Sequence, residues 1–502
     1  MKHQNIPTET RIKEASHRQR VAQHIYSIWT NNGSNESGLA LPLLEGRVDG
    51  LGSYITLKDY FEEDKESREK KYTAIDRIHA NDLTYSDFFH QFMEPNKPVI
   101  LQGLTKDWKA RKKWVQPSHS TSNKINVPNM KVLTQRFGSE IAPVHVQSKG
   151  GFTIARPNTT EMTVSNYSEW WQNHQLFQSL TPNERNELQI DLNEELLYLK
   201  DWKFHSLHPE YNLYNCPSFF QDDWLNKVMS QKYQFVYLGP KGTCTRLHAD
   251  VLFSYSWSTN ICGIKRWYLI PPEHTYLIKD CFGTHLAPHL HIDCDDDTTT
   301  IPHGGQVFYP GLERVRLHAM EIIQYPGETI FVPSGWYHTV ENLEDTLSIN
   351  HNWINGTNIH WSWYKVKHEM QYMIEQSKEQ IPSGDVNQTN TSKEEEAVGQ
   401  LGDDILLLWK LVSMKTNEIV DSKSVINKMS ETSDTGLFNS EYESFSKSAF
   451  MQIYDLKAIL PVLEWIHHIV QIGHDFHLTK KCYCNVHELI FQVQDYLVEL
   501  EK

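Results

Sequence analysis

Apolar positions along the chain change their spacing twice. Between about residues 233 and 355 they fall in short aromatic and β-branched runs: QFVYLGP from Gln234, WSTNICGIKRWYLIPP from Trp257, EIIQYPGETIFVPSG from Glu321 and TLSINHNW from Thr346. Gly and Pro punctuate the runs, which predicts the strands of an all-β sandwich or barrel. Upstream, DLTYSDFFHQFMEPNKPVILQGL predicts an amphipathic helix, a turn at Glu94-Pro95-Asn96 and a short buried strand over Pro98 to Leu101. VPNMKVLTQRFG predicts a short helix closed by Gly138, and residues 110–127 between these segments are expected to be a Ser/Lys-rich loop.

After Asn355 the strand pattern stops. NIHWSWYKVKHEMQYMIEQ carries helical spacing, and PSGDVNQTNTSKEEE, residues 382–396, has the composition of a polar linker. DDILLLWKLVSM, AFMQIYDLKAILPVLEWIHHIVQIG and NVHELIFQVQDYLVEL predict three further helices. Residues 1–72 are polar and weakly periodic. Three units are therefore expected: a polar extension over 1–72, a catalytic domain over 73–355 with core strands from about 233, and a helical region over 356–502.

Composition narrows the function. Lys plus Arg number 48 and Asp plus Glu 63, a formal net charge of −15, which argues against direct binding of nucleic acid and favours a protein or peptide partner. Seven cysteines with irregular spacing give no disulfide framework. The polar start MKHQNIPTETRIKE has no apolar signal region, and no apolar run reaches membrane-spanning length. The expected setting is reducing and cytoplasmic, with the nucleus as a second compartment, and no membrane contact. Nothing in the sequence fixes the oligomeric state.

The candidate chemistry lies in RLHADVLF, where His248 and Asp250 are two apart. On a strand such residues face one side, so an imidazole and a carboxylate converge. FVPSGWYH supplies His338, 338 − 248 = 90 residues later, after a turn. Two His and one carboxylate leave three coordination positions open, the facial triad of non-haem Fe(II) oxygenases. A second His-x-Asp, His291-Ile292-Asp293, sits in a Pro-, Asp- and Thr-rich segment with no strand pattern and is set aside. Lys265, 265 − 248 = 17 residues after His248, lies in the apolar run ICGIKRWYLI, where a buried ammonium needs an anion such as a dicarboxylate. Parity alone allows either Lys265 or Arg266 to be the inward cation. His474, His477, Cys482, Cys484 and His487 form a His/Cys-rich segment whose spacing fits no common zinc module.

GTCTRLHADVLFSYSWSTNICGIKRWYLIPP and EIIQYPGETIFVPSGWYHTVENLEDTLSINHNW together resemble the JmjC oxygenases, over about Leu83 to Trp353. The resemblance implies a double-stranded β-helix (jelly roll, cupin-like) core with N-terminal α/β decoration. It implies Fe(II) on His248, Asp250 and His338 as the catalytic centre, with O2 as co-substrate. 2-Oxoglutarate would be held by Lys265, Thr245 and Tyr198, with Asn352 beside it. Some relatives carry Asn where this chain has Ser258. Lys200 and Trp202 are candidates to line a substrate groove. The activity implied is lysyl hydroxylation of a translation termination (peptide-chain release) factor. N-methyl-lysine demethylation at the same site, or a non-catalytic β-barrel interaction module, are the alternatives.

Overall fold

A computed structural model describes residues 74–118, 126–148, 158–181, 184, 195–279, 286–290, 309, 311–379, 400–401, 403–419, 449–472 and 486–500. The 1–72 extension, the 382–396 linker and the His291-Asp293 pair lie outside the described residues, as does most of the His/Cys-rich segment.

The strands form two principal sheets. β1 (Asp76–His79), β2 (Val99–Gln102), β5 (Ile141–Ser148), β6 (Asn158–Thr163), β7 (Glu195–Trp202), β8 (Gln234–Gly239), β10 (Tyr255–Cys262), β13 (Thr329–Val332) and β15 (Thr346–Trp353) make a nine-stranded sheet ordered β1-β2-β13-β10-β15-β8-β7-β5-β6. β9 (Cys244–His248), β11 (Lys265–Ile270), β12 (Met320–Gln324) and β14 (Tyr337–Asn342) make a second sheet ordered β12-β11-β14-β9. From β8 to β15 the chain crosses from sheet to sheet at every step but β11 to β12, the winding of a double-stranded β-helix. The expected mainly-β, cupin-like core is therefore present.

The short apolar runs become strands because their alternation has two destinations. On β7, Leu197 and Leu199 face the outer aromatic core with Trp114, Phe137 and Trp171, while Tyr198 belongs to the inter-sheet side. The described residues of 110–127 depart from the expected loop: Lys109–Lys113 is helical, and β3 (Val115–Pro117) pairs with β4 (Asn126–Pro128). Three-residue strands are too short to show alternation, so only pairing reveals them.

The helix expected at VPNMKVLTQRFG runs Met130–Phe137, capped by the Asn129 side chain. Helices Ile359–Glu379, 403–419, Ala449–Ile472 and Val486–Leu500 follow the core. The 403–419 and Ala449–Ile472 helices pack Ile405, Leu408, Val412, Leu456 and Leu463 against Trp224, Ile354 and Ile359.

Candidate active site

The metal-ligating candidates converge at one end of the space between the sheets. One ligand atom each from His248, Asp250 and His338 lies within 4.8 Å of the other two. His338 Nε2 is 4.0 Å from Asp250 Oδ2, and the two imidazole rings stand 4.3 Å apart. Register explains the approach: His248 on β9 pairs directly with His338 on β14.

Local structure fixes each ligand. His248 Nδ1 donates to Arg246 O at 2.7 Å and His338 Nδ1 to Trp336 O at 3.0 Å, which leaves each Nε2 with its lone pair. Ser256 donates its hydroxyl to Asp250 Oδ2 at 2.6 Å. The turn before β14 is pinned by a reciprocal pair, Ser334 N to Asn96 Oδ1 at 3.0 Å and Asn96 Nδ2 to Ser334 O at 2.8 Å. Asn96 adopts the left-handed φ of 53° that Asn tolerates better than most residues.

Electrostatics suit a cation. Burial, with His338 alongside, pushes His248 down to about 3, so its imidazole is neutral and ready to ligate. Burial opposes ionisation of Asp250, but His338, His248, the Ser256 hydroxyl and the Asn352 amide outweigh it and hold the carboxyl below its usual range.

Further along the same strands is a second polar cluster. Lys265, 2% exposed, donates to Asn342 Oδ1 at 3.1 Å, and Asn342 Nδ2 donates to Thr243 Oγ1 at 2.8 Å. The Tyr198 hydroxyl faces the side chains of Asn342 and Thr245. Gly239 makes this packing possible: a Cβ there would lie 2.5 Å from Thr243 Oγ1 and 2.6 Å from Tyr198 Cδ2. Burial, with Lys200 nearby, pushes the Lys265 ammonium down to about 7. Arg266 takes the opposite face, against Glu321 and Glu341, so register settles what parity left open.

The last-strand asparagine and the substrate-groove candidates have distinct places. Asn352 lies near Asp250, at the metal end of the pocket, and donates to Ser254 Oγ at 3.2 Å. Trp202 stacks on Trp114 at 5.9 Å in the outer core and lines no groove. Sequence reasoning missed Asn342 and Ser256. Asn342 lies on β14 four residues past His338, so strand parity was a usable signal. Ser258 Oγ and Asn260 Oδ1 are buried on β10 without a hydrogen-bond partner.

Comparison with known proteins agrees with this geometry. The cupin-like domain family matches residues 85–359. The chain is 36% identical over 308 residues to the arginine-specific demethylase JMJ20 of Arabidopsis thaliana, covering 58% of this chain and 59% of that protein. It is 36% identical over 308 residues to the 2-oxoglutarate and iron-dependent oxygenase JMJD4 of Gallus gallus, covering 59% and 63%. It is 26% identical over 348 residues to the bifunctional arginine demethylase and lysyl-hydroxylase psr-1 of Caenorhabditis elegans, covering 63% and 75%. The matched region thus spans less than two thirds of the first two relatives.

Proposed function

The chain belongs to the cupin-like JmjC family, and from that premise we propose that it is an Fe(II)- and 2-oxoglutarate-dependent oxygenase acting on protein. The observation that carries this reading is the pairing of a three-ligand cluster at one end of the inter-sheet space with a buried lysine at the other. His338 and Asn342 are four residues apart on β14, about 13 Å at ~3.3 Å per residue. Ligand side chains reach in from one end and Lys265 from the other, leaving the span of a five-carbon dicarboxylate. The unpartnered Ser258 Oγ and Asn260 Oδ1 support the fit, because buried polar atoms without protein partners suit a polar ligand.

His248, Asp250 and His338 would hold the iron through two Nε2 atoms and one carboxylate oxygen, leaving positions open for ligands. Lys265, Thr245 and Tyr198 would receive the far carboxylate of 2-oxoglutarate, and Asn342 would orient the lysine. Iron and 2-oxoglutarate together supply oxidative decarboxylation with O2, yielding succinate and CO2 and placing one oxygen atom on a substrate C–H bond. Carbonyl acceptors at both Nδ1 atoms hold the imidazole planes, and the Ser256 and Asn352 contacts hold Asp250 ionised.

At the finer level the reading is lysyl hydroxylation of a translation termination factor in the cytoplasm, carried by the motif resemblance. The demethylase names among the relatives favour a second reading, removal of N-methyl groups from Arg or Lys. Incubation with candidate polypeptides, Fe(II), ascorbate and 2-oxoglutarate separates the two. Hydroxylation adds roughly 16 Da, and demethylation removes roughly 14 Da per methyl group. Succinate formation that persists in His248→Ala would contradict both.

A further inference from the structure

The interior residues of β7 differ in what engages them. The Tyr198 hydroxyl faces the side chains of Asn342 and Thr245. Lys200, two residues on and therefore on the same side of the strand, is 9% exposed and makes no hydrogen bond or salt bridge among the described residues. Its ammonium rests near the Tyr237 ring, 5.0 Å from the centroid, and the Tyr198 ring, 5.9 Å away. A buried lysine in that state is costly unless an anion joins it.

The neighbouring anion, Asp201, feels the charge of Lys200, which helps hold its carboxyl below the usual range, but its oxygens are engaged elsewhere. Asp201 has a left-handed φ of 60°, and the β7–β8 register breaks between Leu199 and Trp202. The bulge lets Trp202 return to the outer aromatic core, so Lys200 is the last interior side chain of β7. The Asp201 carboxylate accepts from the Tyr237 hydroxyl at 2.8 Å and faces His145 Nε2 at 3.6 Å.

Register gives the direction of Lys200 along the pocket. Leu199 pairs with Leu238, and β8 pairs with β15 through Gly239↔Thr346, Tyr237↔Ser348 and Phe235↔Asn350. Asn352, further in the same direction, lies near Asp250. A step from Tyr198 to Lys200 is therefore a step from the Lys265 end toward the metal ligands.

We propose that Lys200 is a second cofactor-binding cation, which holds the carboxylate adjacent to the oxo group of the 2-oxo acid while Lys265 holds the far one. The proposal rests on the oxygenase reading above. The site is then bipolar, with one lysine for each end of the dicarboxylate, and Lys200 positions the head that chelates the metal.

The test is calorimetric titration of the full-length, Ni(II)-loaded protein with two probes. 2-Oxoglutarate has both carboxylates; 2-oxopentanoate keeps the 2-oxo acid head and has a methyl group in place of the far carboxylate. Lys200→Met is expected to weaken both probes by the same factor, roughly tenfold or more, as for loss of a hydrogen bond to a charged group. Lys200→Arg is expected to retain most of the affinity. Lys265→Met is expected to weaken 2-oxoglutarate and leave 2-oxopentanoate unchanged. Lys200→Met that weakens 2-oxoglutarate alone would overturn the assignment, as would unchanged binding of both probes with a raised KM for the polypeptide. If the Met variant does not fold, Lys200→Gln carries the same comparison, with its thermal midpoint matched to wild type. Failure of the wild-type Ni(II) protein to bind 2-oxoglutarate would instead overturn the oxygenase reading and this assignment with it.

Discussion

Lys265 Nζ lies 3.1 Å from Asn342 Oδ1, across the one register position where β11 and β14 set a lysine opposite an asparagine. The relationship connects the two ends of the candidate site, because β14 carries His338 at its start and Asn342 at its end. An asparagine neutralises nothing, so the ammonium is oriented but not paired. That combination holds a cation ready for an incoming carboxylate.

Asn342→Leu should weaken 2-oxoglutarate binding while leaving the metal cluster intact. Lys265 would lose its hydrogen-bond acceptor, and Thr243 Oγ1 would lose its amide donor. A loss of about 1–3 kcal/mol in binding is expected from the unsatisfied groups. Calorimetry on the variant, alongside a metal titration that remains unchanged, checks it.

The pH dependence of 2-oxoglutarate binding follows from Lys265. Burial and the neighbouring Lys200 bring the free ammonium down to about 7, and a bound carboxylate raises it again. Below pH 7 the lysine is already charged, and affinity should be flat with respect to this group. Above pH 7 binding must take up a proton, so affinity should fall with rising pH until the pH exceeds the bound-state pKa. Titrations in buffers of different ionisation enthalpy measure the uptake: close to zero at pH 6, and approaching one proton at pH 8.

Asn96→Ala should destabilise the fold and loosen the approach to β14. It removes both hydrogen bonds to the buried Ser334 backbone and places Ala at a φ of 53°. A cost of about 2–4 kcal/mol is expected from the two unsatisfied groups and the strained backbone. Chemical denaturation measures it, and metal affinity should fall along with stability because His338 follows this turn.

Gly239→Ala separates the pocket from the fold. Its Cβ would meet Thr243 Oγ1 and Tyr198 Cδ2 well inside van der Waals contact, so the Tyr198 ring must shift into the space beside Lys265. Binding of 2-oxoglutarate is expected to drop about tenfold, with the metal cluster retained. Equal losses of 2-oxoglutarate and metal affinity would count against this description of the pocket.

Much of the site was legible because strand periodicity is local. His248 and Asp250 are two apart, and Lys265 stands out as a cation in an apolar run. What was not legible depended on register between distant strands. Asn342 acquires its part by standing opposite Lys265, 77 positions away, and Asn352 lies at the metal end because β15 runs past Asp250. Lys200 and Trp202 looked equivalent by parity, and one left-handed residue, Asp201, sends them to opposite sides of the sheet. The short pair Val115–Pro117 and Asn126–Pro128 escaped notice because three residues carry no alternation. The helices after Asn355 were visible in outline because their apolar spacing persists over several turns.

The most direct test of the account is sequential calorimetry on metal-free protein, first with Mn(II) and then with 2-oxoglutarate. Wild type is expected to bind one metal ion and to bind 2-oxoglutarate tightly only afterwards, whereas Asp250→Ala and His338→Ala lose the metal and, with it, the metal-dependent gain in 2-oxoglutarate affinity. Metal binding unchanged by both substitutions, or 2-oxoglutarate affinity indifferent to metal, would contradict it.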